Sequence, residues 1–361
     1  MLPSHSTAAL FHGPGKRLTI ESIPLPSLAP GEALVRVSCA TICGSDLHSI
    51  SGRRHSPAPA ILGHEMVGLI AATGPGGLHS FSGEPLAVGR RVTWSMVWSC
   101  GQCYFCRLGL NPKCEHLFKF GHSPLGPASS LSGAYSQFCL LPAGSAIFPV
   151  PDNIPDIVAA PANCATATIA AVLRHAHPIA GSSVLVLGAG MLGLTACAMA
   201  SASGAHTVIA VDPDPRRARL ASRFGATHSL PPGPALLDSV LSLTSSRGVD
   251  CAFELSGSPA SAEAALPLLR PGGHLLLAGA VFPSRPLALP AEDIVRRLIR
   301  ISGVYNYTPV DLATALSFLS AHLSRFPFPL LVPAAFPLSE INGAIDFAQR
   351  ERPPRAALLP G

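Results

Sequence analysis

Cys100, Cys103, Cys106 and Cys114 stand in the pattern C-x2-C-x2-C-x7-C. Four thiolates this close in sequence can close a tetrahedron around one zinc ion, with no coordination position left for a substrate. Such a site is structural; an iron–sulfur cluster and coincidence are the competing readings. A second chemistry is written in Gly188, Gly190 and Gly193, which with Met191 and Leu192 form G-x-G-x-x-G between an apolar run and a helix-like run. The first glycine allows a tight turn, the second lets a pyrophosphate approach the backbone, and the third lets helix and strand pack closely. The helix start then offers free N–H groups and a positive dipole end to phosphate. Asp212 closes the next apolar run, where a carboxylate can bond both ribose hydroxyls and repel a 2′-phosphate. NAD is therefore favoured over NADP, although Arg216 and Arg217 could accommodate that phosphate. A glycine-rich helix start with a capping Asp would give the same letters.

Three further potential ligands lie far apart: Cys43 in TICGSDLH, His64 in GHE and Cys164 in PANCAT. Spacing alone does not join them. A lone buried Cys is ordinarily a small hydrophobe, and a lone His is more often a hydrogen-bonded core residue.

Two kinds of scaffold must position these groups. Residues 1–169 are rich in Gly, Pro and short β-branched runs, with strands expected at 33–37, 66–70 and 91–94 and a surface loop at 74–88. From about 170 to 300 the texture alternates. Strand-like 184–187, 208–211, 251–255 and 274–278 interleave with helix-like 192–203, 216–224 and 260–269, which predicts a parallel sheet covered on both faces. Residues 301–361 become irregular and Pro-rich again and are expected to rejoin the first domain.

Composition narrows the class. Charged residues are 12% of the chain, about half the usual share, and the net charge of +5 forms no basic run or basic–aromatic interleaving. A nucleic-acid partner is not expected. No secretory signal is visible, so the clustered cysteines read as metal ligands and the protein as cytoplasmic. Residues 179–211 carry no Asp, Glu, Lys or Arg. Glycines break the stretch into strand, turn and helix, so no membrane span is expected.

Taken together and in order, these motifs resemble the medium-chain, zinc-dependent alcohol dehydrogenase superfamily. The resemblance covers essentially the whole chain through Cys43-Gly-Ser45-Asp46-Leu-His48, Gly63-His64-Glu65, the four-cysteine lobe, Asn163-Cys164, the glycine turn and Asp212. It implies an α/β two-domain fold: a GroES-like irregular β catalytic domain (1–169, with a zinc lobe at about 97–116), a Rossmann doubly wound domain (170–300), and a return to the first domain (301–361). It further implies that Cys43, His64 and Cys164 ligate a catalytic zinc with one open position. Asp46 would orient His64, and Glu65 would stand near the metal as a transient ligand. Ser45 and His48 match the family's proton relay, and Arg217 falls where a basic residue contacts the adenosine ribose. Two zinc ions and NAD per chain follow, with a small alcohol or its carbonyl form as partner in a homodimer or homotetramer. Gly44 replaces the arginine that in some members contacts the pyrophosphate.

Segments such as WSMVWSCGQC, PANCATAT and RRLIRISGVYNY are most similar to the branch found alongside phosphonate-catabolism genes, which implies a phosphonate-bearing alcohol. The competing enzyme readings are a carbonyl reductase working in reverse and a polyol dehydrogenase, many of which carry a carboxylate where Cys164 stands. A non-catalytic NAD- and zinc-binding relative should have lost the triad or the relay. Met96 falls where family members place a substrate-pocket side chain, and equally suits the core. Cys39, Cys139, Cys197 and Cys251 read as core residues.

Overall fold

The strand Ala33–Ile42 organises the first unit because it is buried along nearly its whole length, with only Arg36 and Ser38 reaching the surface. Such a strand needs partners on both edges. It pairs antiparallel with Glu65–Thr73 on one side and with Phe138–Leu141 and Ala356–Leu359 on the other. The computed structural model describes residues 2–126, 130–176 and 178–361. Among these, the main sheet of this unit runs Ile147–Pro149, Arg91–Trp94, Glu65–Thr73, Ala33–Ile42, Ala356–Leu359 and Ala335–Pro337. A smaller sheet joins Thr19–Pro24, His5–Phe11 and Ala60–Ile61. Its core includes Trp94, whose ring meets Phe120 edge-on at 6.0 Å. The turn-rich insert at 74–88 contains an isolated bridge between His79 and Pro85 and is otherwise loop.

The second unit is a six-stranded parallel sheet in the order His228–Leu230, Thr207–Val211, Ser183–Leu187, Val249–Glu254, Leu269–Leu277, Arg300–Gly303. Numbered along the chain this is 3-2-1-4-5-6, the Rossmann order, whose direction reverses beside Ser183–Leu187. The first three of its central strands are buried almost throughout, as a sheet covered on both faces requires. The uncharged 179–211 stretch resolves into two of these strands, with a glycine turn and the helix Met191–Ala202 between them. No single helix among the described residues is long and apolar enough to cross a membrane.

The units are Met1–Cys164, Thr308–Ser320 and Phe328–Gly361 in one case, and Ala165–Tyr307 with Ala321–Pro327 in the other. The boundary expected at 300/301 shifts for a simple reason. Arg300–Gly303 adds to the parallel sheet by pairing with Leu269–Leu277, carrying the second unit a few residues further.

Candidate metal and nucleotide sites

Sheet register assembles the first site. Thr41 pairs with Glu65 across one strand edge, and Ala356 pairs with Ile42 across the other. Cys43, Glu65 and Arg355 therefore leave three neighbouring strands at the same end. Cys43 also begins the helix Gly44–Ile50, and Asp46 closes that start by accepting the Cys43 backbone N–H at 2.9 Å. The fourth contributor, Cys164, follows the 3₁₀ turn Ala160–Asn163. That turn is anchored by Asn163, whose side-chain amide donates to the Trp94 carbonyl at 3.0 Å.

The ligand atoms of Cys43, His64, Glu65 and Cys164 lie within 4.8 Å of one another. The Cys164 thiol bonding to Cys43 draws the Cys43 thiol well below its ordinary range, against burial and with help from Arg355. Burial would lower His64, but Asp46 beside its ring holds it up at about 10. Its Nδ1 stands 3.3 Å from Asp46 Oδ1, without the alignment of a hydrogen bond. Its Nε2 lies 3.4 Å from Ser45 Oγ. A buried imidazole between a carboxylate and two thiols suits a borderline-soft cation such as zinc, with Asp46 fixing the ring from behind. Asp46 is itself fully buried and takes the Tyr135 hydroxyl at 3.0 Å.

Glycines bring these segments together. A side chain on Gly63 would overlap the Tyr135 ring, and one on Gly121 would overlap the Gly63 carbonyl; both residues have positive φ. Glu65, the expected transient ligand, stands within that group of ligand atoms and is also bonded from behind: Arg355 grips it with two bonds of 2.6 Å and Thr41 donates at 2.5 Å. Arg355 Nη2 also reaches Cys43 Sγ at 3.4 Å. Arg355 belongs to no sequence motif, and Tyr135, which ends the family-like segment LSGAY, was assigned no role from sequence. The one available signal was an arginine entering an apolar strand in a charge-poor tail, since a buried guanidinium demands a carboxylate. Met96 is buried at 2% exposure, with its carbonyl accepting from Phe120. Cys39, Cys139, Cys197 and Cys251 are fully buried.

The sulfurs of the four lobe cysteines likewise lie within 4.8 Å of one another. Zn–S bonds of about 2.3 Å in a tetrahedron place sulfurs roughly 3.8 Å apart. Cys103 and Cys114 are 3.9 Å apart, and Cys114 and Cys100 are 3.5 Å apart. Backbone N–H groups of Cys100 and His116 point at Cys114 Sγ, each at 3.3 Å, which suits thiolates. Exchange of Cys103 for Ala is expected to drop zinc content from two ions to one and open the 97–116 segment to proteolysis, because a three-thiolate remnant no longer closes. Metal analysis with limited digestion checks this; an intact two-zinc protein would refute it.

In the second unit the three glycines divide their work as their spacing suggests. Gly188 has φ +97°, Gly190 faces open space, and a side chain on Gly193 would overlap the Gly188 carbonyl. Gly190 starts the helix Met191–Ala202 with no side-chain cap, leaving its first N–H groups, those of Met191 and Leu192 among them, for an anion. Asp212 ends its strand and ties down the turn, accepting from Ala189 N at 2.7 Å and Asp214 N at 2.8 Å. Two of its lone pairs remain for ribose hydroxyls. Arg216 is engaged by Asp214, 3.0 Å away, and that ion pair holds the Asp214 carboxyl down at about 2. Arg217 follows it on the helix Pro215–Arg223.

Comparison with known proteins agrees with this geometry. The alcohol dehydrogenase GroES-like domain family matches residues 29–152, and the zinc-binding dehydrogenase family matches residues 192–321. The chain is 33% identical to the L-threonine 3-dehydrogenase of Pyrococcus horikoshii over 81% of its length and 80% of that protein's. It is likewise 33% identical to the sorbitol dehydrogenase of Bacillus subtilis, over 85% of this chain and 84% of the other. An alcohol dehydrogenase from Thermotoga maritima superposes with a TM-score of 0.93 at 26% identity, covering 99% of this chain and 100% of its own. With both domain families matched in order and relatives of this identity spanning four-fifths of their length, the chain belongs to the zinc-dependent medium-chain alcohol dehydrogenase superfamily.

Proposed function

We propose that this protein transfers a hydride between a small alcohol and NAD, with Cys43, His64 and Cys164 holding the catalytic zinc and the lobe cysteines a structural one. The convergence of two thiols and an imidazole, with Ser45 Oγ 3.4 Å from His64 Nε2, carries the reading. A bound zinc supplies Lewis acidity that makes a hydroxyl at its open position easier to deprotonate. The nicotinamide supplies the hydride acceptor.

The chain's residues do the rest. Ser45 would accept the substrate's hydroxyl proton as its own passes on toward His48. His48, on the same helix and half-buried, is held below the ordinary imidazole range by burial and then by the Arg53 charge, so it is neutral and able to take that proton outward. Asp46 and Tyr135 keep His64 in place, while Glu65 and Arg355 brace Cys43. Asp212 receives the ribose and, with Arg216 committed to Asp214, disfavours a 2′-phosphate. A phosphonate-bearing alcohol is the finer expectation, carried by the segments most similar to that branch. The same residues serve the reverse reduction.

NADH absorbance followed with zinc-loaded protein over a panel of alcohols should show turnover that a chelator removes. Exchange of Asp212 for Ala should lower the NAD over NADP preference in kcat/KM by about 10- to 100-fold, the worth of one or two charge-assisted bonds. Absence of turnover across the panel would sink the activity; an unchanged cofactor ratio would sink the role of Asp212.

A further inference from the structure

Three loops meet where the parallel strands of the second unit end, and one buried carboxylate ties them together. Glu254 closes the strand Val249–Glu254 and is 1% exposed. Among the described residues it pairs with no cation. Its side chain turns instead onto the residues that follow it. Oε1 accepts the Ser256 N–H at 2.8 Å, the Ser256 hydroxyl at 2.5 Å and the Gly257 N–H at 2.9 Å. The Ser256 oxygen in turn accepts the Ser258 N–H at 3.1 Å, at the start of the helix Pro259–Ala265. A carboxylate buried without a counter-ion is costly, and here the donors of its own loop offset that cost.

The loop so shaped leans on both neighbouring loops. The Leu255 N–H donates to the Leu187 carbonyl at 2.9 Å, and a side chain on Gly188 would crowd Ser256 at 3.0 Å. On the other flank, the N–H groups of Ala278 and Gly279 donate to the Glu254 carbonyl at 3.0 and 2.9 Å. A side chain on Gly257 would overlap the Gly279 carbonyl, and one on Gly279 would overlap the Gly257 nitrogen. The glycine turn keeps anchors of its own. Gly188 N–H donates to the Val211 carbonyl at 2.8 Å, and Asp212 holds Ala189. Residues 255–258 therefore depend on Glu254 in a way that the turn does not.

Sheet order says what the loop serves. Thr207–Val211 and Val249–Glu254 flank Ser183–Leu187 on opposite sides. In the reading above, Asp212, after the first of these strands, takes the adenosine ribose, and the turn after the middle strand takes the pyrophosphate. The other half of the dinucleotide then continues toward the end of Val249–Glu254, across the point where the strand order reverses. We infer that Glu254 is a positioning residue for the nicotinamide half of NAD, shaping residues 255–258 into the wall against which that half lies. This rests on the dehydrogenase reading and deepens it, because it divides the cofactor between two separately anchored loops. A wall held by its own buried acceptor keeps its geometry before the cofactor arrives.

Titration of the zinc-loaded protein with NADH, followed by nucleotide fluorescence, and with ADP, followed by calorimetry, separates the two halves. Glu254→Ala is expected to weaken NADH about 10- to 100-fold and Ser256→Ala about 3- to 10-fold, with ADP changed less than about 2-fold. Glu254→Gln keeps the length and one accepting oxygen and should recover part of the loss. KM for NAD should rise in step with the NADH dissociation constant. A general loosening of the second unit would weaken NADH and ADP alike, and that outcome overturns the inference. NADH binding that none of the variants disturbs overturns it as well. Should Glu254→Ala fail to fold, Ser256→Ala and Glu254→Gln carry the same comparison. NADH binding absent from the unaltered protein would bring down the dehydrogenase reading and the inference with it. Variant-sensitive NADH binding without turnover of any alcohol would uphold the role of Glu254 while the alcohol substrate falls.

Discussion

Replacing Cys164 by alanine should cut turnover by roughly three orders of magnitude or more while leaving the melting temperature nearly unchanged. The expected loss corresponds to about 4 kcal/mol of transition-state stabilisation. It arises because the thiol is one of three groups proposed to hold the reactive ion, and an imidazole with a single remaining thiolate holds zinc poorly. The fold should tolerate the change. Cys164 is partly buried, ends a short turn whose anchor is Asn163, and contributes one sulfur atom to packing. Removing it should cost less than about 1 kcal/mol. The contrast with Cys103 gives the experiment its force: both variants should hold one zinc per chain, yet only the lobe variant should become protease-sensitive. A Cys164→Ala protein that keeps two zinc ions and normal turnover would end the assignment. Equal losses of stability in the two variants would erase the distinction between a reactive and a structural site.

Legibility in the sequence followed the range of the interactions. Local motifs carried the most information where one turn makes the arrangement. The glycine turn from Gly188 to Gly193 and the four lobe cysteines fold against themselves, so their spacing already announced the close packing and the converging sulfurs that the structure shows. Strand and helix positions from 184 to 278 were likewise visible, because a sheet covered on both faces needs apolar runs that stand out in a charge-poor chain. The convergence of Cys43, His64 and Cys164 was legible only through resemblance. Cys43, His64 and Cys164 are joined by antiparallel register and by a turn anchored on Trp94, and periodicity encodes neither. Arg355 and Tyr135 were hidden for the same reason. Arg355 reaches Glu65 across 290 positions of chain, by way of a final strand whose pairing with Ala33–Ile42 is decided by tertiary structure.

Arg355 leads to the largest stability effect. Exchange for alanine should destabilise the protein by about 3–5 kcal/mol, since it strips a buried carboxylate of its bidentate partner and leaves it the Thr41 hydroxyl as a donor. Burial already pushes the Glu65 carboxyl upward against the pull of Arg355, so removing the guanidinium drives Glu65 toward its protonated form. Cys43 loses a neighbouring positive charge at the same moment. Metal affinity should then fall by about 10- to 100-fold, as when other groups bracing metal ligands are removed. A surface ion pair such as Arg17–Asp346 offers the internal control, with an expected cost below about 1 kcal/mol. The decisive measurement is a double-mutant cycle by denaturant unfolding. Combining Arg355→Ala with Glu65→Gln should be clearly less harmful than the sum of the single changes, because the second removes the charge that the first leaves stranded. Simple additivity, or a loss for Arg355→Ala no greater than that of the surface control, would show that the guanidinium fills space beside the site without holding Glu65 and Cys43 in place.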